Sequence, residues 1–242
     1  MQLHGAPSKR YRLADHVRAC RIDEQVVLLD MRRDKYLGIG GAQLAALSQV
    51  ITDWPADRAQ QPTLAAASLG KWTQTLIDQR MLTDALPARP RITTLPEPTQ
   101  SLDPDIDARR SSPVYPDLFN LAWSSFSAAL WIRRRCIADI ASSVARLRSR
   151  NTAGGASANA DHLQASVSSY MRLRPFMFTA HDKCLHDSLT LVRFLSREGI
   201  FPTWVIGVRT KPFAAHSWVQ SGHLVLNDVH EHVRTYAPIL VV

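Results

Sequence analysis

The sequence predicts an α+β protein of two folded parts joined by a proline-rich connection, on three observations. Within residues 10–86, three short strand-like runs precede three helix-like runs. Between Pro87 and Pro116 stand seven prolines and many polar residues with no sustained hydrophobic period. From Lys183 onward a helical pattern is followed by strand-like runs. The expected domains are therefore 1–86, a linker at 87–116, and 117–242.

In the first part, His16–Ile22, Gln25–Met31 and Lys35–Ile39 read as strands, because β-branched and large apolar residues alternate between short polar breaks. Asp23-Glu24 and Arg32-Arg33-Asp34 supply the turn chemistry, and Gly40-Gly41 ends the sheet. Ala42–Thr52 places Leu44, Leu47, Val50 and Ile51 on one helical stripe, which Trp54-Pro55 breaks. Thr63 can cap a short second helix, and a third runs from about Leu69 to Arg80 with Trp72, Leu76 and Ile77. Three strands followed by three helices make a small winged-helix-like unit. Such units often bind DNA, but the third helix carries only two basic residues, Lys71 and Arg80, a thin electrostatic footprint. No nucleic-acid partner is expected.

The 87–116 segment reads as an extended, fairly stiff linker. After it, 117–150 is helical, with Leu118, Leu121, Phe126, Leu130, Ile137, Ile140, Val144 and Leu147 as apolar candidates. Arg133, Arg134, Arg135, Arg146, Arg148 and Arg150 supply much of the net charge of +8. Such a cluster is ordinarily a solvated helix face; functionally it would be a docking surface for an acidic peptide or a partner enzyme. Asn151–Ala160 is small and polar and reads as a mobile loop.

The chemistry is concentrated between Lys183 and Asp228. Leu185, Leu189, Val192 and Leu195 recur at helical steps, no Gly or Pro intervenes from Lys183 to Glu198, and Gly199 stands where a C-terminal cap belongs. Asp182 suits the N-cap. Cys184 then lies in the first turn, where the positive end of the helix dipole and a neighbouring imidazolium favour thiolate. In Ala214–Gln220 the residues His216, Trp218 and Gln220 share a face, as do Leu224, Leu226 and Asp228 in the next run. A three-residue hairpin loop, Ser221-Gly222-His223, pairs 216 with 228, so that Asp228 orients His216 while the other ring nitrogen serves Cys184. Nucleophile, general acid/base and orienting carboxylate are thus all supplied. Each residue also has an ordinary reading, the cysteine as a small buried hydrophobe and the histidine as a hydrogen-bonded strand residue.

Three cysteines with no C-x-x-C spacing argue against a disulfide framework and for a reducing cytoplasm. The N-terminus lacks an apolar signal core, and Leu118–Trp131 is shorter than the ~20 residues of a membrane span, so a soluble chain is expected. His181, Cys184, His230 and His232 are the candidates for a zinc site, but their spacings repeat no compact ligand pair, and no metal is expected. His181, His186 and His223 read as surface or supporting groups. Thr203–Val208 is a further strand, and Val229–Tyr236 either a loop or a strand.

The order Cys184, His216, Asp228, with steps of 32 and 12 residues and the contexts Cys184-Leu185-His186-Asp187-Ser188-Leu189, Ala215-His216-Ser217-Trp218-Val219 and Leu226-Asn227-Asp228, resembles the B proteins of lasso-peptide biosynthesis. The resemblance covers about Asp161 to Val242. It implies a transglutaminase/papain-like α+β protease domain that cuts the leader from a ribosomally made precursor, often one residue after a threonine, and supplies the core to an asparagine-synthetase-like cyclase. The element order of residues 10–86, with Asp34-Lys35-Tyr36-Leu37-Gly38-Ile39, resembles the peptide-recognition element of such systems. That implies a leader bound as an added strand along Lys35–Ile39, with Tyr36 and Leu37 on the edge and Trp72 and Leu76 as pocket walls. No cofactor is expected. No phosphate-binding glycine loop is present, so any ATP dependence would run through the cyclase. Two other readings remain, an acyl transferase of transglutaminase type and a non-catalytic escort for the precursor.

Overall fold

The computed structural model describes residues 10–52, 54–55, 66–84, 95–102, 115–151, 160–176 and 183–242. The chain divides into two units, Met1–Ile92 and Thr93–Val242.

In the first unit, four consecutive apolar residues, Val26 to Leu29, are all buried, as a strand covered on both faces requires. They form the middle of β3 (Gln25–Asp30), which pairs antiparallel with β2 (Val17–Ile22) and β4 (Lys35–Gly40) in the order β2-β3-β4. Asp23 and Asp34 take positive φ, 51° and 55°, in the two turns, a conformation aspartate tolerates better than most residues. The buried Asp30 carboxylate accepts the Arg32 and Arg33 amides at 3.0 and 3.2 Å and fixes the second turn.

β1 (Arg12–Leu13) pairs with β5 (Leu82–Thr83), two-residue strands too short to leave a periodic signal. Helix α1 (Ala42–Val50) starts after Gly41, whose φ is +58°. Helix α2 (Ala66–Asp78) begins three residues before the expected third helix. The short helix expected after Thr63 lies outside the described residues. The core gathers Val17, Val26, Leu28, Ile39, Leu47 and Leu76, with others around them.

The second unit holds a five-stranded sheet in the order β10-β7-β8-β9-β6. Its strands are β6 (Gln100–Ser101), β7 (Thr203–Thr210), β8 (Phe213–Ser221), β9 (Leu224–Val225) and β10 (Ala237–Val241). Its helices are α3 (Tyr115–Arg134), α4 (Ile137–Asn151), α5 (Ala160–Leu173), α6 (Cys184–Arg197) and the single turn α7 (His230–Val233). A 3-10 turn, Arg174–Phe176, follows α5. Helix α6 packs against α3 and β8. It ends in a Schellman motif, with Ile200 N–H donating to Leu195 O at 3.0 Å and Gly199 N–H to Ser196 O at 3.4 Å, at a glycine with φ +77°.

Four expectations need correction here. Residues 95–102 do not behave as linker. β6 runs parallel to β9, Leu102 N–H donates to Val225 O at 2.9 Å, and Gln220 Nε2 donates to Pro96 O at 2.7 Å. The fixed extended backbone of prolines suits an edge strand as well as a linker, so composition alone could not separate the two. The helical region 117–150 is broken at Arg135-Cys136, where Cys136 O accepts the amides of Asp139 and Ile140 and starts a new helix without any Gly or Pro. Leu121, Ile137, Ile140 and Val144 are buried as expected, whereas Leu118, Phe126 and Leu130 are exposed. Asn151 and Ala160, read as ends of a loop, close α4 and open α5, with 152–159 outside the described residues. After Asp228 comes neither loop nor simple strand but α7 and then β10, which pairs with β7.

Among the described residues no helix is long and apolar enough to cross a membrane.

Candidate active site

Cys184 is the first residue of α6, next to Lys183 at the N-cap, which makes no side-chain capping bond. The Asp182 expected as cap lies outside the described residues. The apolar face of α6 (Leu189, Val192, Leu195) is buried, and this packing fixes where the helix start presents the thiol.

His216 sits in β8 opposite Gly207 of β7. A Cβ on Gly207 would lie 2.7 Å from the Trp218 ring and 2.9 Å from Tyr236 Cβ, so only glycine admits those side chains so close to the strand. The same two rings frame the imidazole, Trp218 stacked at 6.2 Å and Tyr236 at 5.2 Å between centroids. Arg209 lies over Tyr236 at 5.1 Å. Trp218 Nε1 donates to Gln220 Oε1 at 3.1 Å, which holds the His216/Trp218/Gln220 face expected from the strand period.

The expected hairpin register is off by one. Gln220 pairs with Val225 and Ser221 with Leu224, so the loop is the two residues Gly222-His223, with positive φ (+58°) only at the glycine, the pattern of a type II′ turn. A one-residue shift moves every later side chain to the other face. The ladder nevertheless stops early. Leu226 N–H still donates to Val219 O at 2.9 Å, but Val219 N–H is taken by the side-chain oxygen of Asn227 at 2.8 Å. Beyond that point the chain leaves the sheet, and Asp228 turns to His216, whose Nε2 lies 2.5 Å from Asp228 Oδ2. Asp228 therefore meets His216 by leaving the sheet and not by strand pairing.

Asp228 Oδ1 accepts the Val229 amide at 2.7 Å, and His232 Nδ1 lies 3.1 Å from Oδ2. Burial alone would raise the Asp228 carboxyl, but these bonds and the His216 charge hold it below its ordinary range. Burial alone would lower His216, yet Asp228 and Cys184 together raise it to about 9. Burial likewise opposes ionisation of Cys184. The hydrogen bond and charge of His216, with the backbone amides of Ser217 and Leu185, outweigh it and bring the thiol below its ordinary value. The electrostatics therefore favour a thiolate beside an imidazolium. Cys20 is the contrast, buried in the first unit with its thiol pushed up to about 12.

Several contributors carry no motif of their own. His232 and Tyr236 touch Asp228 and His216, and Asp187 on α6 reaches Asn227, the residue before Asp228; of these only His232 was singled out in the sequence, and as a zinc candidate. Of the four zinc candidates, His181 lies outside the described residues. Cys184 is engaged with His216, while His230 Nδ1 lies 2.8 Å from Ser101 Oγ and 3.0 Å from Glu231. The structure instead groups His216, Asp228 and His232, whose ligand atoms lie within 4.8 Å of one another and are joined by hydrogen bonds. His186 Nε2 lies 3.1 Å from Ser125 O, and His223 Nδ1 lies 2.8 Å from Glu97 O.

In the first unit, Tyr36 and Leu37 lie on β4, an outer strand paired on one side with Leu29 and Leu28 of β3. Trp72 is 37% exposed. Leu76 is 1% exposed and belongs to the core, so it is not a surface pocket wall. The arginine cluster is exposed at Arg133, Arg134, Arg135, Arg146 and Arg148, as a solvated face would be, although Arg135 and Arg146 also donate to Ser143 and Arg148 to Thr203. The Arg150 side chain lies outside the described residues.

Residues 122–241 match the family model of the transglutaminase-like superfamily. A stretch of 72 residues, 30% of this chain, is 39% identical to the microcin J25-processing protein McjB of Escherichia coli. The match spans about a third (35%) of that protein's length. No solved structure gives a significant match.

Proposed function

We propose that the protein is a cysteine peptidase of lasso-peptide biosynthesis that cuts a ribosomally made precursor between leader and core. The observation that carries the reading is the Cys184–His216–Asp228 arrangement, in which His216 lowers the thiol while Asp228, with Cys184, raises the imidazole. The transglutaminase-like match over 122–241 and the partial likeness to McjB, a processing protein by name, support it.

The Cys184 thiolate attacks the carbonyl of the last leader residue. His216 gives its proton to the departing core amine, then takes one from water, which releases the leader as a carboxylate. Asp228 stabilises the imidazolium and fixes the tautomer. Backbone amides at the head of α6 stabilise the oxyanion. The first unit acts as a winged-helix-like recognition element that takes the leader as a strand along β4, and holding the leader raises the effective concentration of the cut site. The freed core passes to an asparagine-synthetase-like cyclase, through which any ATP requirement runs.

The test is mass spectrometry of a candidate precursor incubated with wild type or Cys184→Ala. The reading predicts a leader fragment ending at one site, with wild type only and with the mass of hydrolysis. A leader joined to an amine would make the protein an acyl transferase. Binding without any cleavage would make it an escort, and equal cleavage by both proteins would overturn the thiol mechanism.

A further inference from the structure

Asp187 is 4% exposed, one helical turn after Cys184, and its carboxylate meets three donors. Tyr170 Oη donates to Oδ1 at 2.7 Å, Arg174 Nε lies 3.0 Å from the same oxygen, and Asn227 Nδ2 donates to Oδ2 at 2.9 Å. The third bond joins two arms of the site. Helix α6 brings Cys184, the segment after β9 brings Asp228, and Asp187–Asn227 is a side-chain bond between the helix and the residue just before Asp228. The other end of the Asn227 side chain receives Val219 N–H and so ends the β8–β9 ladder. Were the ladder to run on in its observed register, residue 228 would face Ser217 rather than His216.

We propose that Asp187 is a positioning residue of this site: by gripping Asn227 it turns Asp228 out of the strand ladder and onto His216. The inference rests on the triad reading above. The chemistry of the grip is specific. A carboxylate is acceptor-only and meets three donors without conflict, whereas an amide in its place would turn an NH2 group toward at least one of them. A buried ion pair is by itself weak evidence of stabilisation, since well-packed apolar replacements often match it. Here the charge also sets a backbone path.

The test reads the alkylation rate of Cys184 by iodoacetamide against pH, mapped by peptide mass so that Cys20 and Cys136 are counted separately. No precursor is needed. In wild type, half-formation of the reactive thiolate is expected below the ordinary thiol range. Asp187→Asn, with its thermal midpoint recorded, is expected to move half-formation to higher pH and to cut the rate near neutrality by about tenfold. Asn227→Ala, which leaves Asp187 with Tyr170 and Arg174, is expected to give the same change and keeps the test decisive if Asp187→Asn does not fold. The double variant is expected to be no worse than either single. Val192→Ala, a core truncation on the same helix, is expected to lower the thermal midpoint without moving the profile.

A wild-type profile for both folded variants would overturn the proposal, as would additive effects in the double variant or an equal effect in Val192→Ala. An ordinary thiol profile in wild type would instead overturn the triad reading on which the proposal stands.

Discussion

His216 Nε2 and Asp228 Oδ2 lie 2.5 Å apart although continued strand pairing would set residue 228 opposite Ser217. The contact depends on the chain leaving the sheet after Leu226, where Asn227 takes the Val219 amide in place of a backbone carbonyl. The acidic member of the site is thus carried by an irregular segment held at both ends, by Asn227 on one side and by the start of α7 on the other. His230 N–H donates to Ser101 Oγ at 2.7 Å and ties that helix to β6.

Asp228→Asn should remove the main influence that raises His216. The alkaline limb of activity, expected near 9 in wild type, should move toward the ordinary imidazole range, and the rate at neutral pH should fall by about 10²- to 10⁴-fold. A pH–rate series on precursor cleavage measures both. An unmoved alkaline limb would show that Asp228 does not set the His216 titration.

The same pair should leave a mark on stability. His216 is raised in the folded state, so its contribution is fully present below its unfolded value of 6.5 and is lost as pH rises through about 9. Asp228 is lowered, so its contribution is present above 3.8 and is lost as pH falls through its lower folded value. The difference in thermal midpoint between wild type and Asp228→Asn should therefore be widest from about 4 to 6.5 and narrow toward 9. Thermal melts across that range check the sign, and a difference that widened above 6.5 would contradict it.

Gly207→Ala should destabilise the second unit by about 1–3 kcal/mol, because the new methyl group would overlap the Trp218 ring and Tyr236 Cβ. Both residues frame His216, so cleavage should slow together with the loss of stability. Chemical denaturation beside a rate measurement tests the link, and a stable but normally active variant would show that the rings have room to move.

Much of this was legible in the sequence where the signal was periodic. The α6 stripe, the strands around His216, the three strands of the first unit and the cap at Gly199 all follow from apolar spacing and turn residues. The register of the β8–β9 hairpin was not legible, because a two-residue and a three-residue loop both use Gly222 and differ only in which neighbour enters the ladder. The roles of Asp187 and Asn227 were hidden for another reason. Each works through a partner far along the chain, and a lone Asp in a helix or an Asn before an Asp carries no pattern. Residues 95–102 misled because prolines favour an extended backbone in linkers and in edge strands alike. Leu76 misled because a helix-face leucine beside an exposed tryptophan reads equally as surface and as core.

For leader recognition, Trp72→Ala should weaken precursor binding by about tenfold, a loss of roughly 1.4 kcal/mol, with little change in stability because the ring is partly exposed. Fluorescence anisotropy of a labelled leader peptide measures this. Unchanged affinity would place the leader elsewhere than beside Trp72.

Covalent catalysis by Cys184 would leave its trace in the intact mass of the protein quenched in acid during turnover of the precursor. The expected result is a transient adduct equal to the leader less one water, mapped to Cys184 and lost in Cys184→Ala together with cleavage. Full cleavage with no adduct, unchanged in Cys184→Ala, would contradict it.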